Sequence, residues 1–176
     1  MFFQKLKIDG AWIIEIDKLS DERGYFARTW CKKEFAGKSI NTDFVQCNMS
    51  FNHKKGTLRG MHYQVKPHEE DKLVMCIKGT IYDVILDMRK NSCSFGQWQA
   101  VVLSESNLKM IYIPKGIAHG FQTLADSTQV YYQMSNFYHP ESARGFRWND
   151  KTANIRWPLN NPIMSSKDKN YDDLYL

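Results

Sequence analysis

The sequence predicts an all-β sandwich or barrel, and three observations support this fold class. Short apolar runs closed by turn residues recur about every 8–14 residues. Helical periodicity is scarce, and aromatic residues make up 14% of the chain. The length of 176 residues is that of one domain. We therefore expect a single domain over residues 1–176 with a compact core of large side chains.

Seven of these runs are predicted strands. They cover residues 11–16, 72–77, 80–88, 97–103, 109–113, 120–124 and 130–135. In the third run, alternation places Ile81 and Ile85 on one face and Val84 and Leu86 on the other. Short helices or turns are predicted at 29–36 and 168–174. From about residue 149 the chain is polar and interrupted by proline, so we expect it to wrap the surface of the barrel.

Composition excludes several classes of protein. No stretch approaches the roughly 18 apolar residues of a membrane span, and the first residues lack the apolar run of a signal peptide. The net charge of +5 comes from scattered basic residues, which argues against nucleic-acid binding. The 4 cysteines include no CxxC pair, so free thiols are expected rather than a zinc site. We expect a cytoplasmic protein without membrane or nucleic-acid partners.

The N-terminal strand suggests that the chain assembles. Trp12, Ile13, Ile14 and Ile16 would be exposed on an isolated edge strand, and proteins usually cover such edges by pairing. This apolar strand is one reason to expect a homodimer.

Two motifs with a histidine stand out. The first runs from Gly56 to Gln64 (GTLRGMHYQ) and contains His62, and the second runs from Ile113 to Phe121 (IPKGIAHGF) and contains His119. They resemble the two motifs of the cupin superfamily, whose members are jelly-roll β-barrels. This resemblance implies that Pro114 and Gly116 form a tight turn and that His119 points into the barrel mouth.

Many cupins hold a metal with His-x-His, a glutamate and a later histidine. Here Gln64 stands where the second histidine of that pattern would be. His62, His119 and either Glu69 or Glu70 remain as three candidate ligands, but the broken pattern argues against a metal. A metal-dependent cupin enzyme is therefore kept only as an alternative.

A closer resemblance appears when further segments are taken together. These segments are DERGYF from Asp21, QCN from Gln46, LRGMHYQ from Leu58, KLV from Lys72, DMRKNS from Asp87, IPKGIAHGF from Ile113, YY from Tyr131, WND from Trp148 and SKD from Ser166. In this order, and along nearly the whole chain, they resemble the dTDP-4-dehydrorhamnose 3,5-epimerase family. The resemblance implies a cupin jelly-roll barrel with short peripheral helices. It also implies a homodimer without metal or other cofactor that acts on a nucleotide-linked 4-keto-6-deoxy sugar in deoxysugar biosynthesis.

The implied chemistry needs a base, an acid and a positive group. A ketone at C4 acidifies the hydrogens at C3 and C5, so a base can remove one and leave an enolate. The resemblance implies that His62 is this base, that Asp168 orients it, and that Lys72 lies near the reacting oxygen. It also implies that Tyr132 returns a proton on the opposite face. Strand alternation allows only one of Tyr131 and Tyr132 to face the site, and the resemblance to the family favours Tyr132.

The resemblance also implies a set of substrate-binding residues. Arginine suits diphosphate oxygens because its guanidinium binds them in a bidentate manner. The implied binding residues are Arg23, Phe26, Arg28, Gln46, Asn48, Arg59, His119, Tyr138 and Lys167. Arg23, Arg59 and Lys167 are expected at the diphosphate, and a neighbouring chain is a possible source of Arg23 and Arg28.

Two departures from the family pattern leave the substrate open. Arg28 and Ala143 stand where many members have glutamate. A dTDP-linked sugar is the first hypothesis, with CDP- or GDP-linked sugars as alternatives, and inversion at one centre or at two is open. A binding module without catalysis is a third class of function. The joint presence of His62, Asp168 and Tyr132 argues against that class.

Overall fold

The computed structural model describes residues 1–174, which form two large antiparallel sheets, a separate hairpin and two short helices. The strands are β1 (Phe2–Lys5), β2 (Trp12–Glu15), β3 (Lys18–Asp21), β4 (Gly24–Ala27), β5 (Gln46–Asn52), β6 (Leu58–Gln64), β7 (Lys72–Lys78), β8 (Thr80–Asp87), β9 (Trp98–Ser104), β10 (Lys109–Ile113), β11 (Ile117–Thr123), β12 (Thr128–Met134) and β13 (Ala143–Gly145). The helices are α1 (Lys32–Ala36) and α2 (Ser166–Lys169).

The two large sheets face each other across the main apolar core. One has the strand order β1-β2-β10-β7-β12-β5 and the other the order β13-β6-β11-β8-β9. Because side chains alternate along a strand, Val74 and Cys76 of β7 point into the core and meet Ile81 and Ile85 of β8. All four side chains are fully buried. The burial of these apolar faces holds the sheets together.

The outer face of the six-stranded sheet is covered by the segment that contains α1. Leu73 and Met75 of β7 point outward and pack in a cluster with Phe35 of α1 and Ile40. Both faces of β7 are therefore buried, one in the central core and the other under the helix. A strand buried on both faces has no polar alternation, which is why residues 72–77 have an apolar pattern in the sequence.

The outer face of the five-stranded sheet is covered by the end of the chain. Ala153 and Leu174 pack with Val84 and Leu86 of β8 in a third cluster. Polar links attach the same segment: the side chain of Gln122 on β11 donates to the carbonyl of Leu159 and accepts from its amide. The segment after residue 149 therefore lies on this sheet. The expectation of one domain over 1–176 includes residues 175–176, which lie outside the described residues.

The prediction of an all-β fold is confirmed. Each of the seven predicted strands corresponds to an observed strand, with ends that differ by up to three residues, and the two faces of β8 are as predicted. Sequence patterns did not predict β1, β3, β4, β5, β6 and β13 as strands. The helix or turn predicted at 29–36 is present as the shorter helix Lys32–Ala36, whereas the second helix, Ser166–Lys169, begins before the predicted range of 168–174 and overlaps it only at its end. Among residues 1–174, no helix has the length and apolarity needed to cross a membrane.

One expectation about the N-terminus is wrong. The apolar strand β2 is not an exposed edge, because it pairs with β1 on one side and β10 on the other. Ile13 and Ile14 are buried. Several exposed apolar side chains lie instead on the β3–β4 hairpin, where Leu19 is 69% and Phe26 66% exposed.

A buried carboxylate connects the end of β8 to the N-terminal loop. Asp87 accepts from the guanidinium of Arg89 and from the hydroxyls of Ser92 and Ser94, and Arg89 in turn donates to the carbonyl of Asp9. Burial favours the neutral acid, but these hydrogen bonds outweigh it and lower the pKa of Asp87 to about 2. The charged network is therefore a stabilising contact between β8 and the loop before β2.

We predict that Asp87→Asn destabilises the fold by about 2 kcal/mol at neutral pH. The pKa of Asp87 is lowered from 3.8 to about 2 on folding, so its contribution is complete above the unfolded value and is lost as the pH falls through the folded value. Urea unfolding at a series of pH values should show the gap between wild type and variant shrinking below pH ~4. The exposed Asp17→Asn is the control, and a constant gap for Asp87→Asn would contradict the prediction.

Candidate active site

A cavity of about 350 Å³ opens between the two large sheets. The five-stranded sheet contributes Arg59 and His62 from β6 and His119 from β11 to its wall. The six-stranded sheet contributes Lys72 from β7 and Tyr132 from β12. The C-terminal segment adds Lys167, Asp168 and Tyr171. The cavity therefore collects polar side chains from both sheets at one place along an otherwise apolar interior.

Two glycines allow β6 and β11 to approach closely at the cavity. Gly60 has a φ of +130°, and a Cβ built on it would lie 2.5 Å from the Cα of Gly120. No side chain larger than hydrogen fits between these backbones. The close approach places His62 and His119 directly opposite each other in the register of the two strands.

His62 is paired with Asp168. The Nε2 atom of His62 lies 2.8 Å from Oδ1 of Asp168, whose side chain is 8% exposed. Burial raises the pKa of Asp168, but the hydrogen bond and charge of His62 and the amide of Gly60 outweigh it, so the pKa is lowered. An ionised carboxylate only accepts hydrogen bonds, so Nε2 carries the hydrogen and Nδ1 of neutral His62 keeps its lone pair. This arrangement makes His62 a base with a fixed tautomer.

The helix α2 brings Asp168 to this position. Ser165 is the N-cap, and its hydroxyl accepts from the amide of Asp168 at 3.1 Å. The partner of His62 therefore comes from a residue 106 positions away, through the fold of the C-terminal segment across the sheet. The ring of Tyr171 lies edge-on to His62, with 5.8 Å between the ring centres.

His119 has a carboxylate partner of its own. Its Nε2 atom lies 2.8 Å from Oδ2 of Asp83, and the Asp83 side chain is fully buried. This contact fixes the orientation of the imidazole ring. Asp83 lies on β8 and faces the interior beside Ile81 and Ile85. It is therefore a buried polar residue whose function is to hold His119.

Tyr132 and Tyr131 lie on opposite faces of β12. Tyr132 lines the cavity and packs against the central core, whereas Tyr131 shares a face with Cys47 of β5 and interacts with its thiol. Burial raises the pKa of the Tyr132 phenol, and the charge of Arg59 only partly offsets this. The phenol is therefore fully protonated at neutral pH and able to donate a proton.

Lys72 is held in the cavity wall by an ion pair. Its Nζ atom lies 2.8 Å from Oε1 of Glu70, and the two side chains are 10% and 3% exposed. Arg59 is held differently, because its Nε donates to the side chain of the buried Asn52 at 2.8 Å. Both cationic side chains thus have a defined position before any ligand arrives.

The structure places the other predicted residues as follows. Arg59, His119, Tyr138 and Lys167 line the cavity together with the four predicted catalytic residues. Gln46 and Asn48 lie just outside: Gln46 donates to Asn48 and accepts from the backbone amide of Tyr138.

Three predicted residues lie away from the cavity of their own chain. Arg23, Phe26 and Arg28 are on or beside the β3–β4 hairpin. Arg23 is paired with Asp21, and Arg28 lies 3.4 Å from Glu34. Within residues 1–174, none of the three is part of the cavity wall.

Sequence reasoning missed several residues of the wall. Tyr63, Arg144, Tyr171 and Ser50 line the cavity without having been predicted as site residues, and Glu70, which also lines it, was considered only as a metal ligand. Glu70 precedes β7 by two residues, and its position two residues before Lys72 is the signal that could have marked it, because residues two apart in an extended chain face the same side. No sequence signal marks Tyr171, which reaches the site through the fold of the C-terminal segment.

Gln64, at the position of the second cupin histidine, connects two loops. Its Nε2 donates to the carbonyls of His68 and Phe137, and its Oε1 accepts from the amide of His139. The side chain is therefore committed to backbone groups. This geometry gives Gln64 a structural role at the rim of the cavity.

Of the candidate metal ligands, His62, His119 and Glu70 line the cavity, whereas Glu69 does not. In the part of the chain that the structure describes, ligand atoms within 4.8 Å of one another belong to His68, His139 and Glu141, outside the cavity wall. The rings of His68 and His139 are stacked, with 3.6 Å between their centres and 9° between their planes. Imidazole lone pairs lie in the ring plane, so those of two parallel stacked rings do not converge on one ion.

The fold and the site together define a class of protein. Two facing sheets in the cupin-like jelly-roll arrangement carry a carboxylate-bound histidine and a protonated tyrosine on opposite walls of one cavity. This is an enzyme built for acid–base chemistry on a small ligand. The pattern of the sequence identifies which enzyme family it represents.

The chain belongs to the dTDP-4-dehydrorhamnose 3,5-epimerase family, which matches residues 5–175. It is similar to the dTDP-4-dehydrorhamnose 3,5-epimerase of Shigella flexneri, with 43% identity over 169 residues, which are 94% of this chain and 92% of that protein. It is also similar to that of Methanothermobacter thermautotrophicus, with 42% identity over 98% of this chain and 94% of that protein. The chain is thus an isomerase of the epimerase type, and the family expected from the sequence is confirmed.

Solved structures show the same fold. The dTDP-4-dehydrorhamnose 3,5-epimerase of Bacillus anthracis, with TDP and PPi bound, has a TM-score of 0.96 and 38% identity, covering 98% of this chain and 99% of that one. The dTDP-6-deoxy-D-glucose-3,5-epimerase of Legionella pneumophila, in complex with dTDP-4-keto-L-rhamnose, has a TM-score of 0.89 and 38% identity. This likeness covers 95% of this chain and 89% of that one. The expected jelly-roll fold is confirmed by these likenesses.

Proposed function

We propose that the protein epimerises a dTDP-linked 4-keto-6-deoxy sugar at C3 and C5. The observation that carries this proposal is the placement of base and acid on different sheets, with His62 on β6 and Tyr132 on β12. Inversion requires removal of a proton from one face of the sugar ring and delivery to the other. A cavity with these two groups on facing walls suits that requirement.

In the proposed reaction, His62 removes the proton next to the ketone. The ionised Asp168 holds the ring and stabilises the imidazolium that forms. The pKa of Asp168 is lowered, so the carboxylate keeps its charge at neutral pH and does not take up the proton itself. General-base catalysis of this kind typically accelerates a reaction by about 10²–10⁴-fold.

Two further groups complete the proposed chemistry. Lys72 donates to the ketone oxygen, where negative charge develops in the enolate. Tyr132 then delivers its proton to the carbon from the opposite wall. Its pKa is raised by burial, so the phenol is present and not the phenolate. The Tyr132 phenolate then takes up a proton from solvent, and the His62 imidazolium releases its proton to solvent, which restores both groups for the next cycle.

The substrate assignment rests on the relatives. Those similar at 42–43% identity are named as 3,5-epimerases, whereas the similar 3'-monoepimerase of Streptomyces bikiniensis, bound to dTDP-quinovose, is 29% identical. This difference favours inversion at both centres over inversion at one. Because these relatives are named as epimerases, they also favour an epimerase over a metal-dependent enzyme and over a binding module without catalysis. Arg59 and Lys167 are the cationic cavity residues proposed to bind the diphosphate.

We also propose that the enzyme is a cytoplasmic homodimer in which each cavity is completed by its neighbour. The β3–β4 hairpin forms a sheet of its own and exposes Leu19, Tyr25 and Phe26. Arg23 lies on the same hairpin, outside the cavity of its own chain. Packing of these apolar side chains on a second copy would bring Arg23 to the partner's diphosphate site. The cysteines are free thiols, which supports a reducing compartment.

We predict that His62→Ala abolishes proton exchange while nucleotide binding remains. In D₂O, deuterium uptake at C3 and C5, followed by NMR, should fall by about 10³-fold or more. Binding of dTDP, measured by calorimetry, should change by less than about threefold, because Arg59 and Lys167, which are proposed to bind the diphosphate, are unchanged in this variant. Asp168→Asn should lose less than His62→Ala, since the imidazole is still present. Exchange within tenfold of wild type in His62→Ala would exclude His62 as the base.

We predict that Tyr132→Phe separates exchange from inversion. The variant keeps the aromatic ring in the core and loses only the hydroxyl. Because His62 can remove and return a proton on its own face, deuterium should still enter the sugar, but inverted product should fall by about 10²-fold or more. Tyr131→Phe is the matched control, since its ring lies on the other face of β12. A normal yield of epimer from Tyr132→Phe would contradict the assignment.

We predict that two inactive variants complement each other if Arg23 acts on the neighbour's cavity. Arg23→Ala and His62→Ala chains, carrying different affinity tags, are co-expressed and the hybrid dimer is purified. One of its two cavities then has both intact groups, so about half of the wild-type activity is expected. If Arg23 served its own chain, both cavities would be defective and the hybrid would be inactive. Light scattering at micromolar concentration gives the oligomeric state, and a monomer would refute the dimer.

A further inference from the structure

Glu70 is a buried acidic residue in the cavity wall that the proposed reaction does not use. Its side chain is 3% exposed, and Oε1 forms the ion pair with Lys72 at 2.8 Å. The second oxygen, Oε2, is buried and has no hydrogen-bond partner within residues 1–174. A buried carboxylate oxygen without a partner is unfavourable. The contact with Lys72 is thus the interaction that this side chain makes.

The strand geometry explains why Glu70 meets Lys72. Residues two apart in an extended chain point to the same side, so Glu70 and Lys72 both face the cavity and Asp71 faces away. The Asp71 carboxylate accepts from the hydroxyls of Tyr112 and Ser135, the side chain of Asn41 and the amide of Lys115, at 2.7–3.1 Å. These four contacts fix the backbone at the start of β7. The backbone positions from which the side chains of Glu70 and Lys72 extend into the cavity are therefore fixed.

An amine on four methylene groups needs a contact near its end to be held in place. Lysine carries about 2 kcal/mol of rotamer entropy, and its ammonium is a point charge without preferred geometry. In the described part of the chain, Glu70 is the acidic group within ion-pair distance of Lys72 Nζ. Without that contact, the side chain has no acidic partner to keep it against the wall.

We propose that Glu70 is a positioning residue that holds the ammonium of Lys72 at the reacting oxygen, and that it acts through one oxygen. This inference rests on the proposed function, because it assigns to Lys72 the enolate oxygen as its target. Because Oε2 makes no hydrogen bond within residues 1–174, a glutamine that places its amide nitrogen there loses no hydrogen bond. A carbonyl oxygen at the place of Oε1 still contacts Lys72. Placement of the amine, rather than the negative charge of Glu70, is then what the reaction requires.

The test compares Glu70→Gln with Glu70→Ala. We expect Glu70→Ala to lower kcat by about 10–100-fold, the loss typical of a displaced catalytic group, while KM changes by less than about threefold. Glu70→Gln should restore kcat to within about threefold of wild type. The matched control is Glu69→Ala, whose side chain lies outside the cavity wall. It should keep wild-type kcat. Thermal unfolding of each variant, together with dTDP binding, shows whether the fold and the nucleotide site are intact.

The outcomes are distinct. Wild-type kcat in Glu70→Ala would overturn the proposal, and so would an equal loss in Glu70→Gln and Glu70→Ala, since the charge would then matter and not the placement. If Glu70→Ala fails to fold, Glu70→Gln still decides between charge and placement. Absence of proton exchange in the wild type with every 4-keto sugar would instead refute the proposed function.

Discussion

The packing of the two large sheets against each other is the constraint on which the rest of the structure depends. Their inner faces are apolar over most of their area, with Val74, Cys76, Ile81 and Ile85 fully buried. Where the inner faces become polar, a cavity remains between them. The distance and orientation of the two walls are set by the apolar contact elsewhere in the interior. Groups on the two walls therefore oppose each other across any ligand that enters, and the sheets themselves provide the rigid support that a reaction site needs.

Burial also explains why the titratable groups of the site occur in pairs. An isolated buried charge is costly, and proteins place a partner within contact distance. His62 has Asp168, His119 has Asp83 and Lys72 has Glu70, each at 2.8 Å. Each pair fixes the position of one polar group that faces the cavity, and the pair of His62 and Asp168 also fixes a tautomer. The need to satisfy buried charge thus produces an ordered site in the absence of ligand.

The central part of the fold was predictable from local pattern. The strands β7, β8 and β10 have apolar runs bounded by turn residues, and the structure confirms them. β3 and β4 escaped prediction because their side chains are exposed, so no alternation between apolar and polar positions marks them. β6 escaped because its sequence is dominated by site residues and glycine. Residues that serve a site break the local pattern, which is why chemistry-bearing strands are harder to find than core strands.

The site itself was predictable only in part. Its proposed catalytic residues were predicted through family resemblance, since nothing in local sequence connects His62 with Asp168, 106 residues later. The contact exists because the segment after residue 149 packs on the five-stranded sheet and α2 begins at a serine cap. The exposure of Leu19 and Phe26 on the hairpin was not predicted, and the apolar strand β2 was wrongly expected at an edge. Both errors have one cause: pairing between distant strands decides which apolar side chains are covered, and a single strand does not show it.

The proposed reacting groups lie on strands of the large sheets, whereas some of the proposed binding residues lie on the hairpin, and this division has a consequence for catalysis. The proposed acid, base and positive group all lie on strands of the two packed sheets. Arg23 and Phe26 lie on or beside a hairpin that forms a two-stranded sheet of its own. Binding energy from remote parts of a substrate can be used to place its reacting part, provided that the reacting part meets fixed groups. A fixed set of reacting groups within one chain, together with nucleotide contacts from a neighbouring chain, would meet both conditions. It would also make the activity depend on assembly, since a separate chain would hold the reacting groups without all of its binding residues.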